Sequence, residues 1–237
     1  MKLSEDSIRQ EIKYKVFFMD IPRLYDWLYR DSFFQESYSP RMVNSLYFDT
    51  PNYDFASSNM SGESKRIKIR ARWYGELDEN FLDGFLSDTK VFNFEVKRKI
   101  NSLSDKLNIG EIKFGKKDNY LNRIKSIQNE LDLVCNNLLT LSSYKLLSTV
   151  FTSYEREYYE LDSNNNIRLT IDKNISYCNS RAPSDLMLVA KDFIIVELKF
   201  HPELRNKVNN LMKDFPFRQV RSSKFLSTLA QIQRVSY

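Results

Sequence analysis

"KRIKIRARWYG", residues 65–75, reads as a strand with two chemically opposite faces. Alternate side chains of an extended chain point to opposite sides of a sheet. Ile67, Ile69, Ala71 and Trp73 then share one side, and Arg66, Lys68, Arg70 and Arg72 share the other. Like charges that close repel each other, so the second face calls for an anion opposite it.

Outward from this stretch the pattern recurs. In "SIRQEIKYKVFF" (7–18), Arg9, Glu11, Lys13 and Lys15 alternate with Ile8, Ile12, Tyr14 and Val16. In "VFNFEVKRKI" (91–100), Asn93, Glu95, Lys97 and Lys99 oppose Phe92, Phe94 and Val96. "NSLYFDTPNYD" (44–54) is a strand running into a proline-containing turn. Further strands are predicted at "TSYEREYYEL" (152–161), "NIRLTIDKNI" (166–175) and "DFIIVELKF" (192–200), the first two joined by a turn at Asn164–Asn166. A twisted antiparallel sheet with one solvated face would mix hydroxyls, amides and both charge signs there. Here the polar faces are mostly Arg and Lys, and a sheet curled into a barrel would bring them together on a lumen. Phosphate chains suit such a lumen, because guanidinium and ammonium groups pair well with phosphate oxygens. Helices are predicted at 22–30, with Pro22 in the first turn, and at 118–148, where Leu121, Ile124, Leu131, Val134 and Leu138 keep helical spacing. Two more are predicted at 202–215 and at 222–235, the last capped by Ser222 or Ser223.

The 237 residues are 42% hydrophobic and 28% charged, the composition of a folded chain with a real core. With five glycines, six prolines and no linker-like stretch, residues 1–237 read as one domain. The net charge of +5 favours an anionic partner. Cys135 and Cys178 make neither a disulfide framework nor a zinc site. No apolar run has the length of a membrane span, and "MKLSEDSIRQ" is too polar for a signal peptide, so a cytoplasmic location is expected. His201 is the single histidine, which excludes a histidine triad or a His metal cluster. "GEIKFGKK" (110–117) has P-loop spacing, but Lys117 stands where Ser or Thr is needed to hold magnesium. The aromatics fall mainly on the apolar faces, away from the cations, so no nucleic-acid partner is expected. Chemistry in this chain must run on Lys, Arg, Glu, Asp and a metal, and phosphoryl transfer can do so because it depends on positioning and charge neutralisation.

Eight of these stretches, in order, resemble the polyphosphate polymerase domain of the vacuolar transporter chaperone (VTC) family, within the triphosphate tunnel metalloenzyme superfamily. They are "RQEIKYKV" (9–16), "NSLYFDTPNYD" (44–54), "RIKIRARWYG" (66–75), "FEVKRK" (94–99), "YEREYYE" (154–160), "IRLTID" (167–172), "VELKF" (196–200) and "RSSKF" (221–225). The resemblance implies an α+β fold, an antiparallel eight-stranded β-tunnel with flanking helices. It implies that Lys13, Arg70, Arg72, Lys97 and Arg168 carry the phosphoryl transfer. Arg156, Arg221, Ser223 and Lys224 match positions that bind the nucleotide's phosphates or the growing chain. Arg9, Lys99 and Lys199 share those strand faces. Glu197 matches a metal-binding glutamate; Glu95 and Glu11 are further candidates, each with a strand-to-strand ion pair as its other reading. The implied cofactor is Mn2+ or Mg2+. The implied partners are ATP and polyphosphate, with a membrane partner chain for any translocation.

The chain departs from the family's pattern in three places, the mildest being Phe225, where the last motif more usually ends in Tyr. Related triphosphatases carry Glu-x-Glu-x-Lys on the first strand, whereas this chain reads "RQEIK", with Arg9 at the first glutamate. A cation there suits a second phosphate chain better than metal-assisted hydrolysis. The basic pair expected after "KRK" is met only by Lys106, with Leu107 and Asn108 following. The rival readings are a triphosphate or polyphosphate hydrolase of the same superfamily and a polyphosphate-binding module without catalysis.

Overall fold

The computed structural model describes residues 9–31, 33–75, 91–100, 103–113, 129, 145–161, 167–180, 192–221, 223–227 and 229. Eight strands form a single sheet: β1 (Gln10–Phe17), β2 (Phe34–Asp49), β3 (Lys65–Tyr74), β4 (Val91–Ile100), β5 (Leu103–Lys113), β6 (Leu147–Leu161), β7 (Arg168–Asn179) and β8 (Phe193–Phe200). Their spatial order is β1-β8-β7-β6-β2-β3-β4-β5, and every ladder is antiparallel. Among the described residues no ladder joins β1 to β5. The sheet curls until side chains meet across that seam, where Lys97 of β4 pairs with Glu11 of β1. The architecture is the expected α+β tunnel, with ion pairing across the gap between its edges.

The polarity of the barrel is inside out. Apolar faces point outward and are buried, and on the β1, β7 and β8 side helices cover them. Val16, Leu169, Ile171, Ile194, Val196, Leu198 and Phe200 pack there with Leu24 of α1 (Ile21–Asp26) and Val208 of the later helix Arg205–Leu211, here α3. On the β3, β4 and β6 side, Trp73 is fully buried against Phe92 at 4.6 Å and Phe151 at 5.7 Å between ring centres. This is the alternation of the opening stretch made physical: Ile69, Ala71 and Trp73 are fully buried on the outer face. The cations are thereby turned inward.

Several boundaries differ from the sequence reading. β2 begins at Phe34, ten residues before the expected strand, because its exposed first half carries "QESYSPR" with little apolar alternation. β5 was not expected at all; "LSDKLNIGEIK" has Gly110 and no regular period, and it is a strand because β4 templates it. The predicted helix at 202–215 is a 3-10 turn, Pro202–Leu204, followed by the shorter α3. Of the helix expected at 118–148, Asn129 is described and helical, the other positions up to 144 lie outside the described residues, and the last two positions open β6 instead. Of the C-terminal helix, Lys224–Ser227 are helical, and Ser223 caps them through its Oγ, which accepts from Leu226 N at 3.3 Å.

The "DTPNYD" turn leads into a helix that sequence period did not show, α2 (Asp54–Ser61). Its anchor is Asp49, fully buried at the end of β2. The Asp49 carboxylate accepts from the backbone N–H groups of Thr50 at 2.8 Å, Phe55 at 3.0 Å and Ala56 at 2.9 Å. These bonds satisfy donors at the start of the helix and hold Tyr53 in the left-handed region, at φ 60°. Asp49→Ala leaves those donors buried without acceptors. It is expected to lower unfolding free energy by about 2–4 kcal/mol, read as a shifted urea midpoint at unchanged slope. A shift equivalent to less than about 0.5 kcal/mol would show that the carboxylate is dispensable.

Candidate functional site

Inside the curled sheet lies a cavity of about 420 Å3. Ten cationic and three acidic side chains line it, together with Tyr47, Tyr154 and Ser223. Of the sequence-predicted residues, Arg9, Lys13, Arg70, Arg72, Glu95, Lys97, Arg156, Glu197, Lys199, Ser223 and Lys224 all reach it. Three do not. Arg168 stands at the end of β7, half exposed, with Nε 3.0 Å from Glu160. Arg221 is exposed. Lys99 lies at the Arg66 end of β4, on the tunnel-facing parity but beyond the cavity lining.

Each acidic group inside is clasped by cations. Glu197 is 5% exposed and meets Lys199 at 2.7 Å and Lys13 at 3.3 Å. Register explains this: Lys13 lies opposite Glu197 in the β1–β8 ladder, and Lys199 follows Glu197 by two on the same face. Burial would raise the Glu197 carboxyl, but Lys13, Lys199 and Arg156 outweigh it and hold the group well below the usual carboxylate range. Glu95 receives Arg70 Nη2 at 2.6 Å and Lys106 Nζ at 2.9 Å. Burial again opposes ionisation, and Arg70, Arg72 and Lys106 bring Glu95 down to about 2. Glu11, which burial and the Glu197 charge would raise, is held at about 2 by Lys97, Lys13 and Lys199.

Asp172 sits behind the cavity wall, fully buried. It accepts from Arg156 Nε at 2.5 Å and Nη2 at 2.8 Å, a bidentate pair that fixes the guanidinium plane, and it also pairs with Lys224. Lys224 thereby ties the C-terminal helical turn to β7, and its Nζ lies 4.4 Å from the Tyr154 ring centre. Lys68 Nζ donates to Ser223 Oγ at 2.9 Å from the opposite wall. Of the three C-terminal residues predicted as phosphate ligands, Ser223 and Lys224 are therefore placed by contacts to β3 and β7.

Lys68, Tyr47, Tyr154 and Asp172 were not among the predicted site residues. The parity of β3 includes Lys68 and could have supplied it. Asp172 carried no signal, because the residue that holds an arginine in place looks in sequence like any acidic strand residue.

Lys68 carries an unusual proton affinity. Burial lowers its ammonium first, and the charges of Lys13 and Lys97 add to this, bringing it to about 7. Below that pH Lys68 is charged before ligand arrives; above it, a bound polyanion must draw a proton in. Tripolyphosphate binding at about pH 8 is therefore expected to take up close to one proton, with affinity falling by up to about tenfold per pH unit. Calorimetry in two buffers of different ionisation heat measures the uptake. An equal uptake by Lys68→Met would assign the proton elsewhere.

Whether these residues suit a divalent cation depends on the donors available. Glu197 and Glu11 are ionised oxygen donors inside the cavity, but among the described residues no group of three or more His, Cys, Asp or Glu side chains gathers to hold a metal. That donor set fits a hard cation that takes most of its ligands from phosphate oxygens and water. No helix among the described residues is long and apolar enough to cross a membrane.

The VTC domain profile matches residues 8–233 of this chain. No curated protein matches it in sequence. Among solved structures, one similar fold is a Hippeastrum protein provisionally described as an adenylyl cyclase and found to have a dominant triphosphatase activity, at 13% identity and a TM-score of 0.52, covering 97% of this chain and 96% of that one. A Vibrio parahaemolyticus protein provisionally described as an adenylate cyclase aligns at 10% identity and a TM-score of 0.51, over 93% and 98% of the two chains. A chain of the Schizosaccharomyces pombe Mediator head module aligns at 6% identity and a TM-score of 0.50, over 88% and 96%. At these identities the likeness is one of fold, and the three descriptions differ too much for fold to decide activity.

Proposed function

Because this chain belongs to the VTC domain family, we propose that it is a polyphosphate polymerase that moves the terminal phosphoryl of ATP onto a phosphate chain inside the tunnel. The observation that carries this reading is the surplus of cations around one cavity, ten against three carboxylates, with no Ser, Cys or His placed as a protein nucleophile among its lining residues except Ser223, whose hydroxyl is engaged by Lys68. A site built this way supplies charge and alignment. The nucleophile is then the acceptor itself: its terminal phosphate oxygen bonds to the γ-phosphorus, the bond to the β–γ bridging oxygen breaks, and ADP leaves with that electron pair. Arg70, Arg72 and Arg156 spread the charge of the transferring group, and Lys13, Lys97 and Lys199 hold the chain in line. Mg2+ or Mn2+ held through Glu197, with Glu11 near, would neutralise part of the triphosphate charge.

The direct test incubates the chain with ATP and Mn2+, with and without a short polyphosphate primer, and follows chain length on a gel beside free phosphate. A growing ladder is expected. Free phosphate without a ladder would place the chain among hydrolases, and tight binding with neither product would make it a binding module. A second test separates catalysis from holding. Glu197→Gln removes a carboxylate without removing a cation, so polyphosphate affinity is expected to stay or rise while turnover falls about a hundredfold. Loss of both in parallel would show that Glu197 only supports the tunnel wall.

A further inference from the structure

The inner face of β3 changes character along its length: Arg66, Lys68, Arg70 and Arg72 are followed by Tyr74. From Arg66 to Tyr74 is about 26 Å of extended chain, so the two ends of this strand serve different mouths of the tunnel. At the Arg66 end stand Lys97 and Lys99, opposite Lys68 and Arg66 in the ladder. At the Tyr74 end is an aromatic collar. The guanidinium of Arg41 lies 5.4, 5.2 and 4.9 Å from the ring centres of Tyr38, Tyr74 and Tyr158. Arg72, a cavity-lining arginine, lies 4.9 Å from the Tyr74 ring, so the collar continues directly into the phosphate-binding wall.

These side chains are not core. Tyr38 is 58% exposed and Tyr74 42%, and Arg41 is exposed with no carboxylate in ion-pair range among the described residues. The Tyr158 hydroxyl and Arg72 Nε are buried without a hydrogen-bond partner, so the collar has polar capacity left over. Exposed ring faces beside a planar cation offer stacking to a flat heterocycle, and the adjoining arginines offer charge to its phosphates.

We infer that the Tyr38–Arg41–Tyr74–Tyr158 collar is the subsite for the nucleoside of the triphosphate donor, which makes the tunnel directional. The base stacks at the collar, the triphosphate runs inward past Arg72, and the acceptor chain occupies the lysine-lined opposite end. This rests on the reading of the tunnel as a phosphoryl-transfer site for a nucleoside triphosphate.

The test compares ATP with tripolyphosphate, which share the phosphates and differ in the nucleoside. Binding of each is measured by calorimetry with Mg2+ for the wild-type chain, Tyr74→Ala, Tyr38→Ala and Tyr74→Trp. Tyr74→Ala and Tyr38→Ala are expected to weaken ATP about tenfold and tripolyphosphate less than twofold, with Tyr74→Trp restoring ATP. Equal losses for the two ligands would assign the collar to phosphate or to folding and overturn the inference. Unchanged ATP binding in both alanine variants would also overturn it. A wild-type chain that binds neither ligand overturns the tunnel reading together with this one, whereas wild-type binding of both leaves that reading standing whatever the variants do.

Discussion

Arg70→Ala is expected to cut phosphoryl-transfer turnover about a thousandfold while the chain stays folded. Arg70 is held firmly in place in the cavity. Its Nε and Nη2 both reach Glu95, at 2.7 and 2.6 Å, and Nη1 lies 3.5 Å from the Tyr47 hydroxyl. Tyr47 is itself stacked on Phe225 at 5.1 Å, so the C-terminal turn buttresses the arginine. An arginine held that firmly loses little entropy on meeting the transferring group, which is where its charge acts most strongly. The fold survives the change because Glu95 keeps Lys106 at 2.9 Å. Steady-state rates with a primer, beside a thermal melt, separate the two effects. A loss below about tenfold with an unshifted melt would remove Arg70 from the reaction. Arg168, paired to Glu160 at the end of its strand, serves as the internal contrast, and its alanine variant is expected to lose far less.

Asp172→Ala carries the largest expected effect on stability. The carboxylate is fully buried and answers Arg156 in two bonds and Lys224 in a third. Arg156 is itself 6% exposed, so deleting Asp172 strands a buried guanidinium and releases the C-terminal turn. Breaking one side of such a pair costs about 3–5 kcal/mol. Burial raises the Asp172 carboxyl, Arg156 and Lys224 lower it more, and the result is about 2. A depressed carboxyl stabilises the fold above its unfolded pKa, and this share is lost as pH falls from about 4 towards 2. The wild-type chain should therefore keep the Asp172 contribution at mildly acidic pH. Urea denaturation with and without tripolyphosphate is the measurement. The ligand should restore part of the loss, since phosphate oxygens can take over Arg156. An unchanged midpoint in the variant would mean that solvent reaches the pair and the burial argument fails.

How much of this was legible in the sequence follows from what each residue's neighbours could reveal. β3, β4 and the alternating parts of β1 and β8 were readable because each alternates apolar and charged residues along its own length. β5 was not, because its pairing depends on β4 rather than on any period of its own. Helix α2 was hidden for a similar reason: what starts it is Asp49, several residues upstream on a strand. Face parity brought Lys13, Arg70, Arg72, Lys97 and Lys199 correctly to the cavity. It could not foresee Arg168, since parity fixes a side and not the depth at which a strand leaves the tunnel. Nor could it say whether Glu95 faces a metal or an arginine; the structure places Arg70 and Lys106 on it.

The lopsided charge of the lumen also means that in solution this protein is always in company. Ten cations around so small a space gather small counterions from whatever buffer surrounds them. Sulfate, inorganic phosphate and chloride then compete for the seats that a phosphate polymer would take, and each polymer that binds must evict several of them at once. Affinity measured for this tunnel is thus a property of the protein and its electrolyte together. Added salt should steady the vacant barrel by screening its self-repulsion and, in the same stroke, loosen its hold on the polymer.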